Sequence, residues 1–299
     1  MTSVGFLGLG IMGSRMAANL QRKGFAVTAW THTPGKAEKW TAENEGAKAA
    51  ATPAEAAAGA DLVISMVVDG DQVEAILLDG EGAAAGGARP GTLFVDMSTI
   101  APADARRIGE ALTTDGHRFV DAPVTGSSPR AEDGSLTIMA GGSAEDVARA
   151  RPAFGAMGTT IVHVGALGHG QVIKLINNAV AAANAATLAQ ALVMGAGTGV
   201  DLDALTQILA AGSGNSTMVG LKAEPMRQHD YATLFKTEHM LKDVRLCLEE
   251  AQAAGVPFPA ANAARDALVG AVGRGFADQD FAAIVESYEG LAGLRIGDV

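Results

Sequence analysis

From Val4 to Pro123 the chain alternates apolar runs of strand length with stretches of helical spacing. The runs are "VGFLGLG", "FAVTAW", "DLVISMV", "GTLFVDM" and "HRFVDAP"; Met12–Lys23, Pro53–Gly59 and Pro102–Thr113 are helical stretches between them. Strands that are apolar throughout are buried on both faces, and strands separated by helices are joined by crossovers. The pattern therefore predicts a parallel sheet with helices on both sides. "SLTIMAGG" and "GTTIVHVG" add two strands around the helix "AEDVARARPAFGAM".

After Gly168 the strand signals stop. One helix is expected from Gln171 to Ala196, which at ~1.5 Å per residue spans roughly 40 Å. Leu202–Ala211, Leu241–Ala254, Ala260–Val272 and Phe281–Tyr288 are further helical patterns, with Pro257 and Pro259 as punctuation. No internal repeat is evident. The expected fold is an α/β N-terminal domain, residues 1–163, and an all-α C-terminal domain, residues 164–299, joined by a long helix. A length of 299 residues suits two domains, and 48% hydrophobic against 18% charged residues excludes a disordered chain.

A net charge of −11 with no basic run excludes nucleic acid and anionic membrane surfaces as partners. Any anionic ligand must be met by locally placed cations. The one cysteine, Cys247, rules out an intrachain disulfide and a multi-cysteine metal site, and no metal is expected. No charged region with an apolar core precedes Gly5, so no signal peptide is read and a cytoplasmic setting is expected. The apolar window Ala179–Gly199, interrupted by Asn184 and Gln190, reads as a buried helix rather than a membrane span.

"GFLGLGIMG" spaces Gly8, Gly10 and Gly13 as G-x-G-x-x-G, directly after a strand and opening a helix. Gly8 permits the tight turn, Gly10 lets backbone approach a pyrophosphate, and Gly13 lets helix and strand pack closely. The helix start then offers free N–H groups to phosphate charge. Ile11 and Met12 inside the loop, and Val67 and Val68 after "DLVISM", are expected to touch the same dinucleotide. An acidic residue after the second strand would bind the ribose hydroxyl of NAD, but "AWTHTPGK" has none. Thr31, His32, Thr33 and Lys36 are instead suited to a 2′-phosphate, so NADP(H) is favoured and NAD(H) remains open.

Lys174 is the only charged residue between Gly170 and Val200. A buried ammonium costs several kcal/mol unless it is paired or reaches water, so a ligand cavity at this helix start is the economical explanation. Burial also lowers an ammonium's pKa, which fits a lysine for general-acid work. Asn178 follows at i+4 on the same face. Ser98, in "DMSTI", sits at a strand's C-terminal end, where open α/β sheets bind ligands. Gly126 and Ser127 are expected on the loop after the next strand. His239, Lys242, Asp243 and Arg245 share helical spacing. Bland alternatives stand beside these: Ser98 as a helix N-cap, Asn178 bonded to backbone, Lys242–Asp243 as a solvated pair.

Taken in order, Gly8–Gly13, "DMSTI", "DAPVTG…EDGSLTIMAGG", "GHGQVIKLINN" and "FKTEHMLKD" resemble the β-hydroxyacid dehydrogenase family. This group includes 3-hydroxyisobutyrate dehydrogenase and tartronate semialdehyde reductase. The resemblance implies a Rossmann-type first domain. It also implies Lys174 as catalytic acid/base assisted by Asn178, with Ser98 and Gly126 as catalytic-site residues holding the substrate carboxylate. Thr125 and Ser127 lie in the same substrate motif, and Lys242 would line the nicotinamide and substrate cleft, where Ser98 too would meet the cofactor. "TGSSPRAEDG" and "FKTEHMLKDVRL" are similar to the glyoxylate/succinic semialdehyde reductase branch. Departures are Thr125 for a serine, Pro129–Arg130 for a basic residue then proline, and His32 where that branch often has arginine.

The expected activity is NADP(H)-linked reduction of a small carboxylate-bearing aldehyde or keto acid by a homodimer or homotetramer. The alternatives are an NAD-linked 3-hydroxyisobutyrate-type dehydrogenase and, from another class, a non-catalytic dinucleotide-binding module. Imine reductases share the architecture but typically lack a lysine here, so Lys174 counts against them.

Overall fold

The structure, a computed structural model, describes residues 1–80 and 82–298. It forms two compact units, Met1–Lys174 and Leu175–Val299.

The first unit contains strands β1 (Ser3–Leu7), β2 (Ala26–Trp30), β3 (Lys48–Ala49), β4 (Leu62–Ser65), β5 (Leu93–Asp96), β6 (Arg118–Asp121), β7 (Val124–Thr125), β8 (Leu136–Gly141) and β9 (Gly158–Gly165). Between them run α1 (Ile11–Arg22), α2 (Lys36–Glu43), α3 (Pro53–Ala57), α4 (Gly70–Leu77), α5 (Ala84–Gly87), α6 (Pro102–Thr114), α7 (Ser127–Asp133) and α8 (Ala144–Met157). The order β3-β2-β1-β4-β5-β6 is parallel throughout, as the strand–helix alternation predicts. β8 departs from it. It pairs antiparallel with β6 and β7, and β9 then runs parallel to β8. The link from β7 to β8 is only residues 126–135, most of it the seven-residue α7, and so short a link returns the chain beside its own strand instead of crossing the sheet.

Each sheet face has its own core. Phe6, Val27, Ile64 and Val95 pack with Met16 and Leu20 of α1 and Phe154 of α8. Leu7, Val63 and Phe94 point the other way, onto Ala56 and Ala57 of α3, Val73 of α4 and Ile108 of α6. This is the period-two alternation of a strand buried on both sides.

A long helix, α9 (His169–Gly197), carries the chain from the first unit into the second. The second unit continues with α10 (Leu202–Ala211), α11 (Thr217–Gln228), α12 (Thr237–Ala253), α13 (Pro259–Gly273) and α14 (Val285–Ala292), the last preceded by a 3-10 turn at Phe281–Ile284. Its core joins Leu175, Ala182, Leu188 and Leu192 of α9 to Met226, Val244, Leu268 and Ile284. Among the described residues α9 alone is long and apolar enough to cross a membrane, and 56% of its most apolar window is buried within the protein. A second buried lysine, Lys222 of α11, has a structural explanation: its Nζ lies 2.6 Å from Asp280 Oδ1 and over the Phe281 ring. Asp280 also accepts the N–H groups of Leu234, Phe235 and Ala282.

Candidate active site

Strands β1 and β4 are neighbours although β2 and β3 lie between them in sequence, so the strand order reverses there. The glycine loop stands at the C-terminal ends of this pair. Gly8 has φ +108°, and a Cβ on it would lie 2.2 Å from the Met66 carbonyl oxygen. A Cβ on Gly13 would lie 2.0 Å from the Gly8 carbonyl oxygen, so only glycine lets α1 start this close to β1. Around Gly10 a Cβ would meet nothing within 4 Å. That position is open, as backbone meant to approach a ligand must be. Gly10 caps α1 without a side-chain bond, and the first turn of α1 has no acidic residue. Its N–H groups and dipole are thus left for an anion.

Ile11, within this loop, and Val68, past β4, are exposed apolar side chains, with Met12 and Val67 partly covered. Thr31 is buried just past β2, while His32, Thr33 and Lys36 are exposed, Lys36 being the first residue of α2. These groups fit a dinucleotide: phosphate over Gly10 and the start of α1, apolar contacts from Ile11 and Val68.

One strand over, Ser98 is fully buried past the end of β5. Its Oγ accepts the Val67 N–H at 2.9 Å, and its own N–H donates to Asp96 Oδ1 at 3.2 Å. Asp96 Oδ1 also accepts the Ser65 hydroxyl at 2.8 Å. Ser98 is not a helix N-cap, because α6 starts four residues further on and is capped by Ala101. Gly126 and Ser127 leave the loop expected for them: Gly126 is the N-cap of α7, with φ +138°, and Ser127 opens that helix with φ +58°. The Arg15–Glu132 ion pair at 2.9 Å and the Asn19 Nδ2–Ala131 O hydrogen bond at 2.7 Å tie α7 to α1.

Lys174, on α9, is buried to 7% exposure. Two fully buried residues that the sequence reading passed over set the start of its helix. The Asp121 carboxylate accepts the N–H of Gly168 at 2.7 Å and of Gln171 at 2.9 Å. Burial pushes its pKa up to about 6, outweighing those two hydrogen bonds, which act downward. Gln171 reaches back to the Ser98–Ile100 segment. A buried amide with helix N–H groups beside it is a signal that sequence spacing alone does not carry.

In the second unit Asn178 is buried, and its Nδ2 donates to Asp243 Oδ2 at 2.7 Å, a carboxylate instead of the backbone partner of the bland alternative. Lys242 Nζ lies 3.1 Å from Asp243 Oδ1. Asp243 is fully buried, so this is not a solvated surface pair. Burial holds the His239 ring below its ordinary pKa, favouring the neutral form. Away from these residues, His229, Glu286 and Glu289 gather possible metal-ligand atoms within 4.8 Å. Glu286 accepts the Tyr231 hydroxyl, Glu289 faces His229 at 2.9 Å, and Arg295 lies beside both carboxylates. Their charge is already met from within the protein.

A parallel run of strands in this order, with a glycine loop at its switch point, defines a dinucleotide-binding domain of the Rossmann type. Comparison with known proteins gives the family. Residues 3–165 match the NAD binding domain of 6-phosphogluconate dehydrogenase, and residues 168–288 match the NAD-binding region of NADP-dependent 3-hydroxyisobutyrate dehydrogenase. The NAD-dependent L-serine dehydrogenase of Pseudomonas aeruginosa is 35% identical over 98% of this chain and 100% of its own length. Glyoxylate/succinic semialdehyde reductase 1 of Arabidopsis thaliana is 34% identical over 95% of this chain and 97% of its own. The solved structure of Mycobacterium tuberculosis 3-hydroxyisobutyrate dehydrogenase with L-serine superposes with a TM-score of 0.87 at 33% identity, covering 96% of this chain and 99% of that one. The chain belongs to the 3-hydroxyisobutyrate dehydrogenase-like family and is an NAD(P)-dependent oxidoreductase of the hydroxyacid dehydrogenase type.

Proposed function

We propose that this enzyme is an NADP(H)-dependent reductase of a small aldehyde or keto acid bearing a carboxylate, of the glyoxylate/succinic semialdehyde type. The observation that carries the reading is Lys174, a buried ammonium on an otherwise uncharged helix whose first turn bonds to the segment holding Ser98. The nicotinamide, when bound, supplies the hydride. Lys174 protonates the alkoxide that forms at the carbonyl oxygen, and Asn178, one turn on, orients the ammonium. Ser98 already accepts a hydrogen bond at Oγ, so its hydroxyl proton is free to be donated to a carboxylate oxygen. The Gly126 and Ser127 N–H groups complete the anion's partners. Residues 1–163 serve as the dinucleotide domain and 164–299 as the substrate and oligomerisation domain of a cytoplasmic homodimer or homotetramer.

The preference for NADP(H) rests on the stretch after β2, which has no acidic residue before Glu38 and exposes His32, Thr33 and Lys36. A second reading has a specific support: one similar protein is named an NAD-dependent L-serine dehydrogenase, and another, a 3-hydroxyisobutyrate dehydrogenase, has its structure with L-serine. It makes the enzyme an NAD-linked dehydrogenase oxidising a β-hydroxyacid. Initial rates of NADPH and NADH oxidation with glyoxylate, succinic semialdehyde, methylmalonate semialdehyde and tartronate semialdehyde, against acetaldehyde and butyraldehyde, separate the two. Hydrogen bonds to an ionised group are worth about 1.5–3 kcal/mol each, so each one forgone costs at least ~10-fold in kcat/KM. Equal kcat/KM for charged and uncharged aldehydes of matched length refutes the carboxylate anchor. NAD⁺ reduction with L-serine or 3-hydroxyisobutyrate, with glyoxylate and succinic semialdehyde left unreduced, selects the second reading.

A further inference from the structure

Gln171 is fully buried, and its amide serves two backbone groups of one short segment. Its Nε2 donates to the Ser98 carbonyl oxygen at 2.9 Å, and its Oε1 accepts the Ile100 N–H at 3.1 Å. One donor and one acceptor matched two residues apart admit a single orientation of the side chain, because a reversed amide would leave both backbone groups unpaired. The backbone at Gln171 is held just as closely. Its N–H donates to Asp121 at the end of β6, and a Cβ on Gly170 would lie 2.5 Å from the Met139 carbonyl oxygen and 2.6 Å from Asp121 Oδ2. The first turn of α9 is therefore seated on β6 and β8 with no room to slide. Lys174 follows three residues later, on the same side of the helix as Gln171.

We propose that Gln171 is a positioning residue for the reaction, its amide locking the segment that carries Ser98 to the helical turn just before Lys174. This rests on the reading of Lys174 as proton donor and Ser98 as carboxylate anchor. A reductase that holds a substrate's carboxylate at one end and protonates its carbonyl oxygen at the other needs a fixed separation between those two groups. A displacement near 1 Å in such a pair costs up to ~10²-fold in rate. Gln171 touches neither reacting atom in this account; it acts through Ser98 and the first turn of α9.

The test compares Gln171→Glu and Gln171→Leu with the wild-type protein from pH 5.5 to 8.5, using the best aldehyde of the panel. Kinetic constants are expressed as ratios to wild type at each pH, which removes what the proteins share; the neighbouring carboxylates are Asp121, on the Gln171 N–H, and Asp96, on the Ser98 N–H. A carboxylate in place of the amide still accepts from Ile100 but cannot donate to the Ser98 carbonyl; once protonated it can. The expected result for Gln171→Glu is kcat/KM down about tenfold at pH 8.5 and recovering towards wild type near pH 5.5. Gln171→Leu should stay low at every pH while cofactor binding, read by NADPH fluorescence, is kept. Wild-type kinetics in Gln171→Leu, or a Gln171→Glu ratio that does not change with pH, overturns the proposal. Where Gln171→Leu fails to fold, the Gln171→Glu series decides. Lys174→Ala in the same assay keeps the two readings apart: undiminished turnover there removes the proton-donor reading, whatever Gln171 does.

Discussion

The Asn178 amide donates to the Asp243 carboxylate at 2.7 Å, and Asp243 is fully buried. Its other oxygen lies 3.1 Å from the Lys242 ammonium. Taking one partner from a buried charge leaves a desolvated group behind, which costs more than the bond itself contributes. Asn178→Ala should therefore lower unfolding free energy by about 1–3 kcal/mol. Urea denaturation measures it, and an unchanged midpoint removes the contact from the account.

Gly10 and Gly13 should respond differently to the same added methyl. A Cβ at Gly13 collides with the Gly8 carbonyl, whereas at Gly10 it meets only open space. Gly13→Ala should lose stability and cofactor affinity together. Gly10→Ala should keep the wild-type melting temperature and weaken only the cofactor, because its methyl enters the room meant for phosphate. Thermal unfolding and NADPH titration separate the two, and full NADPH affinity in Gly10→Ala contradicts the loop's role.

Asp121 gives stability a measurable pH dependence. Its folded-state pKa is raised to about 6 from an ordinary 3.8, so between these values the folded protein holds a proton that the unfolded chain has released. Stability from this group falls as pH rises through that window, by about 3 kcal/mol at most, and is constant above it. Asp121→Asn has no such proton. The difference in unfolding free energy, wild type minus variant, should decline from pH 4 to pH 6 and then level; a flat difference contradicts the burial of an ionising carboxyl there.

Thr31 is buried where the chain leaves β2, at the position from which an acidic side chain would meet a ribose hydroxyl or repel a 2′-phosphate. The wild-type enzyme should favour NADPH in kcat/KM, and Thr31→Asp should move the preference towards NADH. A wild-type preference of about tenfold for NADH contradicts the reading of "THTPGK".

Much of this was legible in the sequence because it rests on local pattern. The apolar runs gave the positions of β1, β2, β4, β5, β6, β8 and β9, and the glycine spacing marked the loop at the β1–β4 junction. Lys174 stood out by charge alone. Direction was not legible: "SLTIMAGG" reads the same whether β8 runs with or against β6, and the short α7 decides it. β3 and β7, of two residues each, are too brief to leave a periodicity. α11 was missed because Pro225 lies inside it, and α12 starts at Thr237, four residues before the expected Leu241. At the site, Asp121, Gln171 and Asp243 act through partners distant in sequence. Their roles become visible only when β6 meets the start of α9, or α9 meets α12.

Turnover of Lys174→Ala tests the central claim most directly. The variant should fold, bind NADPH with wild-type affinity, and lose at least ~10²-fold in kcat with a carboxylate-bearing aldehyde, the lower range for removing a general acid. Near-normal turnover in a folded, cofactor-binding Lys174→Ala protein contradicts Lys174 as the proton donor.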